Sequence, residues 1–440
     1  MSHILILGGD GYLGWPTAMY FSNRGYKVTV VDNYFRRNAC TELDVGMLYP
    51  VPTLQERAKI WHELTGNEIK VVIGDLTDPE IMRGLFDGRV QYSWANNRTF
   101  TGIPETIVHY AEQPSAPYSL INYKYANITV ANNLLITNNL IWALRDFSRD
   151  SHVIHIGTMG EYGTPNIDIP EGWIDIEKNG RKDTFLFPRQ ASSLYHTTKI
   201  MDTDLFWFGV RMWDLRVTDL MQGPVYGIET EESEMCRQYA VGSKKGAEDS
   251  KEYAVGSRQM AEDRGQNSSL LTPYSSLSSP HSSLSTIFNY DEIFGTIVNR
   301  FITQAVVGYP LTVYGQGGQT RGYLNIKDTL QCVHKSEQTP AKAGELRIFN
   351  QIMETFSANE LAEMTQRVGK KLGYEVEINH LENPRKEAEE HYYNPTYHGL
   401  IDIGVEPHYL TDEVMEGIFR VVERYKDNIR TDVIFKGIRW

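Results

Sequence analysis

The chain has 440 residues, 41% of them hydrophobic and 22% charged, a balance typical of globular proteins. Its formal net charge of -13 disfavours nucleic acid and anionic membranes as partners, because like charges repel. The cysteines Cys40, Cys236 and Cys332 show neither metal-ligand nor disulfide spacing, as is typical of a reducing compartment. Strand sequence begins at His3 and no run is apolar enough to span a membrane. We therefore expect a cytoplasmic protein, or one of the plastid stroma if it is organelle-encoded or a mature form.

Short β-branched runs alternate with helical stretches in the first half of the chain. The predicted strands are Ile4–Leu7, Lys27–Asp32, Lys70–Asp75, Thr106–Ala111, Val153–Thr158 and Leu215–Leu220. Helices are predicted at Leu134–Phe147 and Ser192–Phe208, and a late strand at Glu345–Asn350 is expected to return to the sheet. The strands lack period-two alternation, as strands buried on both faces do. This order predicts an α/β fold, a Rossmann doubly wound parallel sheet with a smaller mixed α/β domain.

The chain divides at about residue 224. We expect residues 1–224 to form the dinucleotide-binding domain, with a polar insertion at 88–102, and residues 225–440 to form the substrate-binding domain. The segment 237–286 repeats Tyr239–Ser243 as Tyr253–Ser257 and then becomes rich in serine. Such a composition cannot bury enough apolar area to offset chain entropy, so it predicts a disordered insertion. A regulatory or partner-binding insert is the alternative.

A glycine-rich turn follows the first strand. Gly8 permits a tight turn, Gly11 lets the backbone approach a pyrophosphate, and Gly14 allows close packing of the next helix. Asp32 ends the second strand about 20 residues later, where an acid binds the adenosine ribose. It favours NAD over NADP because it repels a 2′-phosphate, although Arg36 and Arg37 could bind that phosphate.

Asp75 ends the third predicted strand, at the edge where such folds contact adenine. The alternative is an ordinary turn residue at a strand end. We consider the two interpretations equal.

Tyr195 and Lys199 are four residues apart, so a helix places both on one face. In such a pair the ammonium lowers the pKa of the phenol, which then takes a proton from a sugar hydroxyl during hydride transfer. Thr158, at the end of an upstream strand, is expected to hydrogen-bond the same hydroxyl. The spacing predicts a proton-transfer centre beside a nicotinamide.

These features together resemble the extended short-chain dehydrogenase/reductases, the superfamily of NAD-dependent epimerases and dehydratases of nucleotide sugars. Longer strings resemble the UDP-sulfoquinovose synthase family within it. They are Gly8–Tyr12, Val31–Asn33, Ser115–Ser119, Gly157–Ile169, Gln190–Ser193, Leu311–Gly315, Gly317–Tyr323, Asn383–Arg385 and Glu389–Asn394. Pro114 stands where plant members carry an arginine.

The resemblance implies the conversion of UDP-glucose and sulfite to UDP-sulfoquinovose and water, through a 4-keto-5,6-ene sugar, with NAD+ recycled. The product would serve sulfolipid or sulfoglycan synthesis, and free sulfite or a sulfite-donor protein would supply the sulfur. A UDP-sugar 4-epimerase or dehydratase, which needs no sulfite, and a non-catalytic NAD-binding homologue are the alternatives.

The resemblance also implies further site residues and a homodimer. Glu161 and His196 are candidates for the transfers at C5 and C6, with a supporting carboxylate and a helix-face histidine as the alternatives. Helices around Asn122–Phe147 and Ser192–Phe208 are expected to form a four-helix dimer interface. No metal is implied. The cofactor candidates still to be named are Tyr12, Asn33, Leu76, Ala111 and Asn133. The substrate candidates are Gln113, Ser192, Gln222, Asn299, Arg300, Thr312, Tyr314, Arg321 and Arg385.

Overall fold

The computed structural model describes residues 2–87, 103–235, 284–382, 392–435 and 437. Its strands are β1 (His3–Leu7), β2 (Lys27–Asp32), β3 (Ile69–Ile73), β4 (Thr106–His109), β5 (His152–Thr158), β6 (Trp173–Lys178), β7 (Arg181–Leu186), β8 (Arg216–Gln222), β9 (Val225–Tyr226), β10 (Leu311–Tyr314), β11 (Thr320–Asn325), β12 (Glu345–Gln351), β13 (Glu354–Ser357) and β14 (Ile378–Leu381). Its helices are α1 (Gly14–Asn23), α2 (Phe35–Glu42), α3 (Leu54–Thr65), α4 (Pro79–Asp87), α5 (Ala116–Leu120), α6 (Tyr123–Phe147), α7 (Leu194–Trp213), α8 (Ile297–Val306), α9 (Ile326–Gln338), α10 (Ala358–Lys371), α11 (Gly399–Asp402) and α12 (Asp412–Arg424).

A seven-stranded parallel sheet organises the fold, in the order β12-β8-β5-β4-β1-β2-β3. The predicted doubly wound sheet is confirmed. Leu5 and Ile107 pack on one face with α6, and Ile4 and Val30 pack on the other with α1 and α3. Both faces are covered, so these strands are apolar throughout. The order reverses next to β1, which places a ligand crevice at the carboxyl ends of β1 and β4.

The second half of the chain forms smaller sheets and a helical cluster, and it also contributes β12 to the large sheet. Strands β10 and β14 pair in parallel, and β9, β11 and β13 form a three-stranded sheet. Strands β6 and β7, from the first half of the chain, form a separate hairpin. Helices α8, α10 and α12 bury apolar side chains such as Phe301, Leu361 and Phe419 together. In the described ranges, no helix is long and apolar enough to cross a membrane.

Several element boundaries differ from the prediction. Helix α6 begins at Tyr123, well before Leu134, because Asn122 caps it by accepting from the Lys124 amide at 2.9 Å. The expected insertion 237–286 ends too late, since Leu284 and Thr286 are buried. Residues 88–102 and 237–283 of the two predicted insertions lie outside the described residues.

Candidate active site

The glycine turn after β1 has the shape that a dinucleotide needs. Gly8 has a φ of 87°, and a Cβ on Gly14 would lie 2.0 Å from the Gly8 carbonyl oxygen. At Gly11 a Cβ would meet nothing nearer than 3.4 Å, so this part of the backbone is open to a ligand. Helix α1 starts directly at Gly14, which turns its N-terminal amides towards the cavity. The turn therefore fits a pyrophosphate.

Asp32 lies at the end of β2 and lines the cavity. Its carboxylate accepts from the amides of Asp10 at 2.9 Å and Tyr34 at 2.6 Å, which fixes its orientation. Burial, together with the nearby Asp10 carboxylate, raises the pKa of Asp32 to about 7. The group is positioned to accept hydrogen bonds from a ribose.

The two arginines after Asp32 already bond to protein groups. Arg37 donates to both Asp10 oxygens at 2.6 and 2.7 Å and to the Pro52 carbonyl at 2.6 Å. Arg36 donates to Asn289 Oδ1 at 2.9 and 3.1 Å, with its guanidinium 4.1 Å from the Phe294 ring centre. A 2′-phosphate would have to displace these partners. The NADP alternative that the two arginines left open therefore finds no support in their geometry.

A cavity of about 710 Å³ runs from the glycine turn to the second half of the chain. It is lined by most of the predicted site residues. From the cofactor set these are Gly8, Gly11, Tyr12, Gly14, Asp32, Asn33, Arg36, Leu76 and Ala111, and from the chemical and substrate sets Thr158, Ser192, Tyr195, His196, Lys199, Gln222, Arg300, Thr312, Tyr314 and Arg321. One continuous cavity therefore brings the cofactor, sugar and nucleotide residues together.

Tyr195 and Lys199 lie on α7 and face the end of β5, where Thr158 lies. Ser193 caps α7 by accepting from the His196 amide at 3.1 Å, and the Tyr195 amide donates to Ser119 Oγ at 3.2 Å. Burial raises the pKa of Tyr195 well above 10, and the Lys199 ammonium opposes that rise. The sequence-predicted Thr158, Tyr195 and Lys199 set is therefore assembled at one end of the cavity.

Lys199 forms a close ion pair that the sequence interpretation missed. Its Nζ lies 2.6 and 2.5 Å from the two oxygens of Glu112 and 2.8 Å from His155 Nε2. Glu112, His155 and Asp202 converge closely enough to hold a cation, and the Lys199 ammonium lies among them. The one signal in the sequence was the position of Glu112, just after β4 at the carboxyl edge of the sheet.

His196 and Gly160 are in direct contact in the cavity wall. A Cβ on Gly160 would lie 2.3 Å from His196 Nε2, so only glycine leaves room for the imidazole. The other ring nitrogen, Nδ1, lies 3.0 Å from Ser193 Oγ. The imidazole is therefore fixed beside Tyr195, with ring centres 5.1 Å apart.

Glu161 lies behind the cavity wall and outside its lining. One oxygen accepts from the Thr158 amide at 3.2 Å, and the other is 3.4 Å from Thr203 Oγ1 and 3.7 Å from Arg189. Burial raises the pKa of Glu161 to about 7, although the Arg189 guanidinium opposes this. This position favours the role of a supporting carboxylate over direct chemistry. The sequence left both roles open because it could not show which way the side chain points.

The other end of the cavity holds the predicted nucleotide residues. Tyr314 donates to Glu292 at 2.5 Å, and Thr312 Oγ1 accepts from Gln304 at 2.9 Å. Arg321 donates to the Thr320 carbonyl at 2.8 Å, and Arg300 is largely buried. Gln319, Tyr323 and Tyr393 also line this region and were not predicted. The predicted Arg385 lies outside the described residues.

Five further predicted residues lie outside the cavity lining, and their polar groups bond to protein. Arg37 is held by Asp10, as described above, and Asp75 Oδ1 accepts from the Thr77 amide and hydroxyl in its own turn. The Asn133 side chain bonds to the Gln113 amide and to Thr198, while Gln113 donates to Thr129. Asn299 accepts from Gly227 and donates to the Tyr12 hydroxyl. These residues support the walls of the cavity, and their side chains do not line it.

Comparison with known proteins gives a consistent assignment. Residues 4–268 match the sequence profile of the NAD dependent epimerase/dehydratase family. UDP-sulfoquinovose synthase from Spinacia oleracea (chloroplastic) is 41% identical over 99% of this chain and 79% of its own length. UDP-sulfoquinovose synthase from Sulfolobus acidocaldarius is 37% identical over 99% of this chain and 97% of its own.

Solved structures agree on the fold. The UDP-glucose 4-epimerase from Bifidobacterium longum in complex with NAD+ and UDP has a TM-score of 0.62 and 15% identity, over 97% of this chain and 99% of that one. MoeE5 in complex with UDP-glucose and NAD has a TM-score of 0.59 and 14% identity, over 96% of this chain and 99% of that one. At these identities the likeness establishes the fold alone.

The family match, together with the fold and the glycine turn, defines an NAD-dependent nucleotide-sugar enzyme of the epimerase/dehydratase type. Within that class, the near full-length relatives place the chain in the UDP-sulfoquinovose synthase family.

Proposed function

We propose that the protein converts UDP-glucose and sulfite to UDP-sulfoquinovose and water. The observation that carries the proposal is the single cavity that joins the glycine turn, the Thr158, Tyr195 and Lys199 set, and the histidine over Gly160. Two relatives of this named activity, each covered over most of its length, support it.

The cofactor-binding end of the cavity and the base Tyr195 act together at the C4 hydroxyl of the sugar. When bound, NAD+ would supply the hydride acceptor for C4 and the hydride that is returned at the end of the cycle. Gly8, Gly11 and Asp32 would bind and orient it, while Tyr195 takes the hydroxyl proton and Thr158 holds the hydroxyl. The Lys199 ammonium favours the phenolate form of Tyr195.

His196 is the group that we assign to proton transfer at C5 and C6. A 4-keto group makes the C5 hydrogen acidic, and loss of water across C5 and C6 needs a base and an acid on that side of the sugar. The imidazole lines the cavity next to Tyr195, whereas Glu161 does not. We assign Glu161 to holding the Thr158 amide, and thereby the end of β5.

The substrate nucleotide is assigned to the far end of the cavity. Arg300 and Arg321 are suited to the diphosphate, because guanidinium groups donate two parallel hydrogen bonds. Thr312 and Tyr314 are assigned to the uracil, and Ser192 and Gln222 to the sugar. Sulfite would enter at the sugar side, from solution or from a donor protein. We place the reaction in the cytoplasm, or in the stroma for a plastid form like the spinach relative.

A homodimer is the assembly that we propose. Apolar side chains of α6 and α7 are exposed, among them Trp142 and Met212, which are 45% and 62% accessible. Two neighbouring helices with such a surface can bury it by packing against the same pair of a second copy across a two-fold axis.

Product analysis tests the proposed function. Purified protein is incubated with UDP-glucose, with and without sulfite, and the products are read by mass spectrometry. A sulfite-dependent UDP-sulfoquinovose mass is expected, and Tyr195→Phe should lower its rate about 100-fold or more, since it lacks the proton-accepting oxygen. Tyr409→Phe, at an exposed position, is the matched control. UDP-galactose without a sulfonated product would instead identify an epimerase. The absence of any product despite bound NAD would identify a non-catalytic homologue.

A further inference from the structure

We propose that Glu112 is a positioning residue for this chemistry: its carboxylate, backed by His155, holds the Lys199 ammonium at the base of the active site. The inference deepens the proposed function and rests on it, because it concerns the groups that prepare Tyr195 for proton transfer. Glu112 acts through Lys199, and no contact of its carboxylate with the sugar is required.

The contact between Glu112 and Lys199 is nearly symmetric and almost dry. Both carboxylate oxygens lie within hydrogen-bond distance of Nζ, at 2.6 and 2.5 Å, and the two side chains are 6% and 2% exposed. Glu112 follows β4 while Lys199 lies on α7, so the pair connects the sheet edge to the catalytic helix.

His155 and Asp219 also fix the position of the Lys199 ammonium. His155 Nε2 is 2.8 Å from Nζ, and its Nδ1 is 2.9 Å from Asp219 Oδ1, which also fixes the ring. An ammonium has no lone pair, so Nε2 must accept and the ring proton lies on Nδ1. Burial and the Lys199 ammonium oppose a second proton on the ring, whereas Asp219 and Glu112, whose Oε1 is 3.3 Å from Nε2, raise the pKa of His155 to about 9. A proton on Nε2 would point at the ammonium 2.8 Å away, so the contact itself favours the neutral ring. Thr203 completes the chain by donating to Asp219 Oδ2 at 2.7 Å.

Glu112 is the principal counter-ion of Lys199. Burial would lower the pKa of Lys199, but Glu112 outweighs this effect with help from Asp202, and the net pKa is raised. Asp202 is the weaker partner because its nearest oxygen is 3.9 Å away, and burial together with Glu112 raises the pKa of Asp202 well above its usual range. A buried ammonium without its carboxylate would be strongly disfavoured.

The remaining groups around the pair are on β4, on β8 and in the turn after β5. His109 Nε2 is 3.6 Å from Glu112, and burial lowers the pKa of His109 to about 3, so this ring is neutral. Glu161 and Asp219 are on the far side of His155 and Thr203. Burial sets the raised pKa of Tyr195, with Lys199 lowering it and Glu112 raising it further.

Replacing Glu112 by Gln preserves the shape and removes one negative charge. Without that charge the pKa of Lys199 falls, because the ammonium loses its counter-ion. The pKa of Tyr195 also falls as long as Lys199 stays charged, because the phenolate no longer has a carboxylate near it. Both limbs of the profile of turnover against pH should therefore move to lower pH by about one unit or more, because a close opposite charge shifts a pKa by roughly that amount. The pH optimum of the variant should therefore lie below that of the wild type, with KM for UDP-glucose changed less than about twofold.

Two further variants separate positioning from simple loss of structure. Glu112→Asp keeps the charge and should restore the position of both limbs even if its rate is lower. Glu232→Gln removes a similarly buried carboxylate that accepts from Arg24 at 2.8 Å, remote from the cavity, and should leave the profile in place. A Glu112→Gln profile that overlays the wild type, or a loss equal at every pH in both Glu112 variants, would overturn the proposal.

The measurement is made on two signals. Sulfonated product reports the proposed function, while near-ultraviolet absorbance of the reduced nicotinamide reports oxidation at C4, whichever product follows. A wild type that gives the absorbance signal without sulfonation would refute the synthase and still test Glu112. A third readout needs no turnover: the lysine ammonium NMR signal that Lys199→Met removes should broaden or vanish in Glu112→Gln, and an unchanged signal would contradict the proposal.

Discussion

Gly160 shows how one missing side chain creates a functional position. The imidazole of His196 occupies the space that a Cβ would take, with ring atoms 2.3, 2.5 and 2.8 Å from it. Ser193 Oγ holds the other side of the ring at 3.0 Å. The ring therefore has one place in this cavity, and a methyl group at residue 160 removes it.

Gly160→Ala should displace His196 and leave the fold intact, because the clash is with the far end of a side chain. We expect sulfonation to fall about 100-fold, the usual effect of misplacing a catalytic group by about 1 Å. Oxidation at C4 should change only a few-fold, since Thr158, Tyr195 and Lys199 are left in place. The two rates are measured by product mass and by nicotinamide absorbance.

Gly417→Ala is the matched control, because a Cβ there meets nothing within 4 Å in helix α12. It should leave both rates unchanged. If Gly160→Ala slowed the two steps equally, the assignment of His196 to C5 and C6 would be wrong.

The sequence predicted those site residues whose roles depend on spacing along one element. Tyr195 and Lys199 share a helix face at a separation of four, and Asp32 ends a strand that runs beside β1. It did not predict the orientation of Glu161, whose carboxylate accepts from the Thr158 amide and so caps the short 3-10 helix Met159–Glu161. Nor did it find Glu112, because the partnership with Lys199 joins residues 87 positions apart.

At the scale of elements, the buried carboxylate of Asp10 joins the glycine turn to the helices α2 and α3. The Asp10 carboxylate accepts two hydrogen bonds from the Arg37 guanidinium and also pairs with Arg57. Arg57 is fully buried, and its guanidinium lies 4.6 Å from the centre of the Trp15 ring. The Asp10 amide donates to Asp32. The glycine turn, α2 and α3 are thereby connected at the point where the cofactor binds.

Asp10→Asn should destabilise the protein by about 3 to 5 kcal/mol, because it leaves the buried guanidinium of Arg57 and the partly buried one of Arg37 without their counter-ion. Denaturant unfolding measures the change. Glu63→Gln removes the partner of Lys59 in an exposed pair on α3 and should cost at most about 0.5 kcal/mol. Equal effects of the two substitutions would show that Asp10 contributes no more than a surface acid.

Elements were predicted better than their ends. Apolar β-branched runs identify buried strands because both sheet faces are covered, and β12 follows that pattern although it comes from the second half of the chain. Ends depend on single contacts instead. Asn122 starts α6 early, and Leu284 is buried because its carbonyl accepts from Trp15 at 3.1 Å, which composition cannot show.

At the scale of the whole molecule, α6 and α7 present an apolar surface that the described part of the chain leaves exposed. Leu135 and Trp142 lie on α6, while Met201, Phe208 and Met212 lie on α7, each at least 41% accessible. Scattered apolar residues are ordinary on a surface, whereas several on two packed helices fit the proposed dimer interface. The same α7 carries Tyr195 and Lys199, so a partner on its outer face would also stabilise the catalytic helix.

A charge introduced into this surface should separate the proposed dimer. Phe208→Glu places a carboxylate where two copies of α7 would meet, and its desolvation opposes association. Sedimentation should then change from twice the chain mass of 50.3 kDa to a single chain, and the melting temperature should fall because α7 loses its cover. Tyr409→Glu, at an apolar side chain exposed elsewhere, controls for the added charge and should leave the mass unchanged. A wild type that sediments as a single chain, or a Phe208→Glu variant that stays paired, would contradict the four-helix interface, and in the second case the copies must meet through another surface.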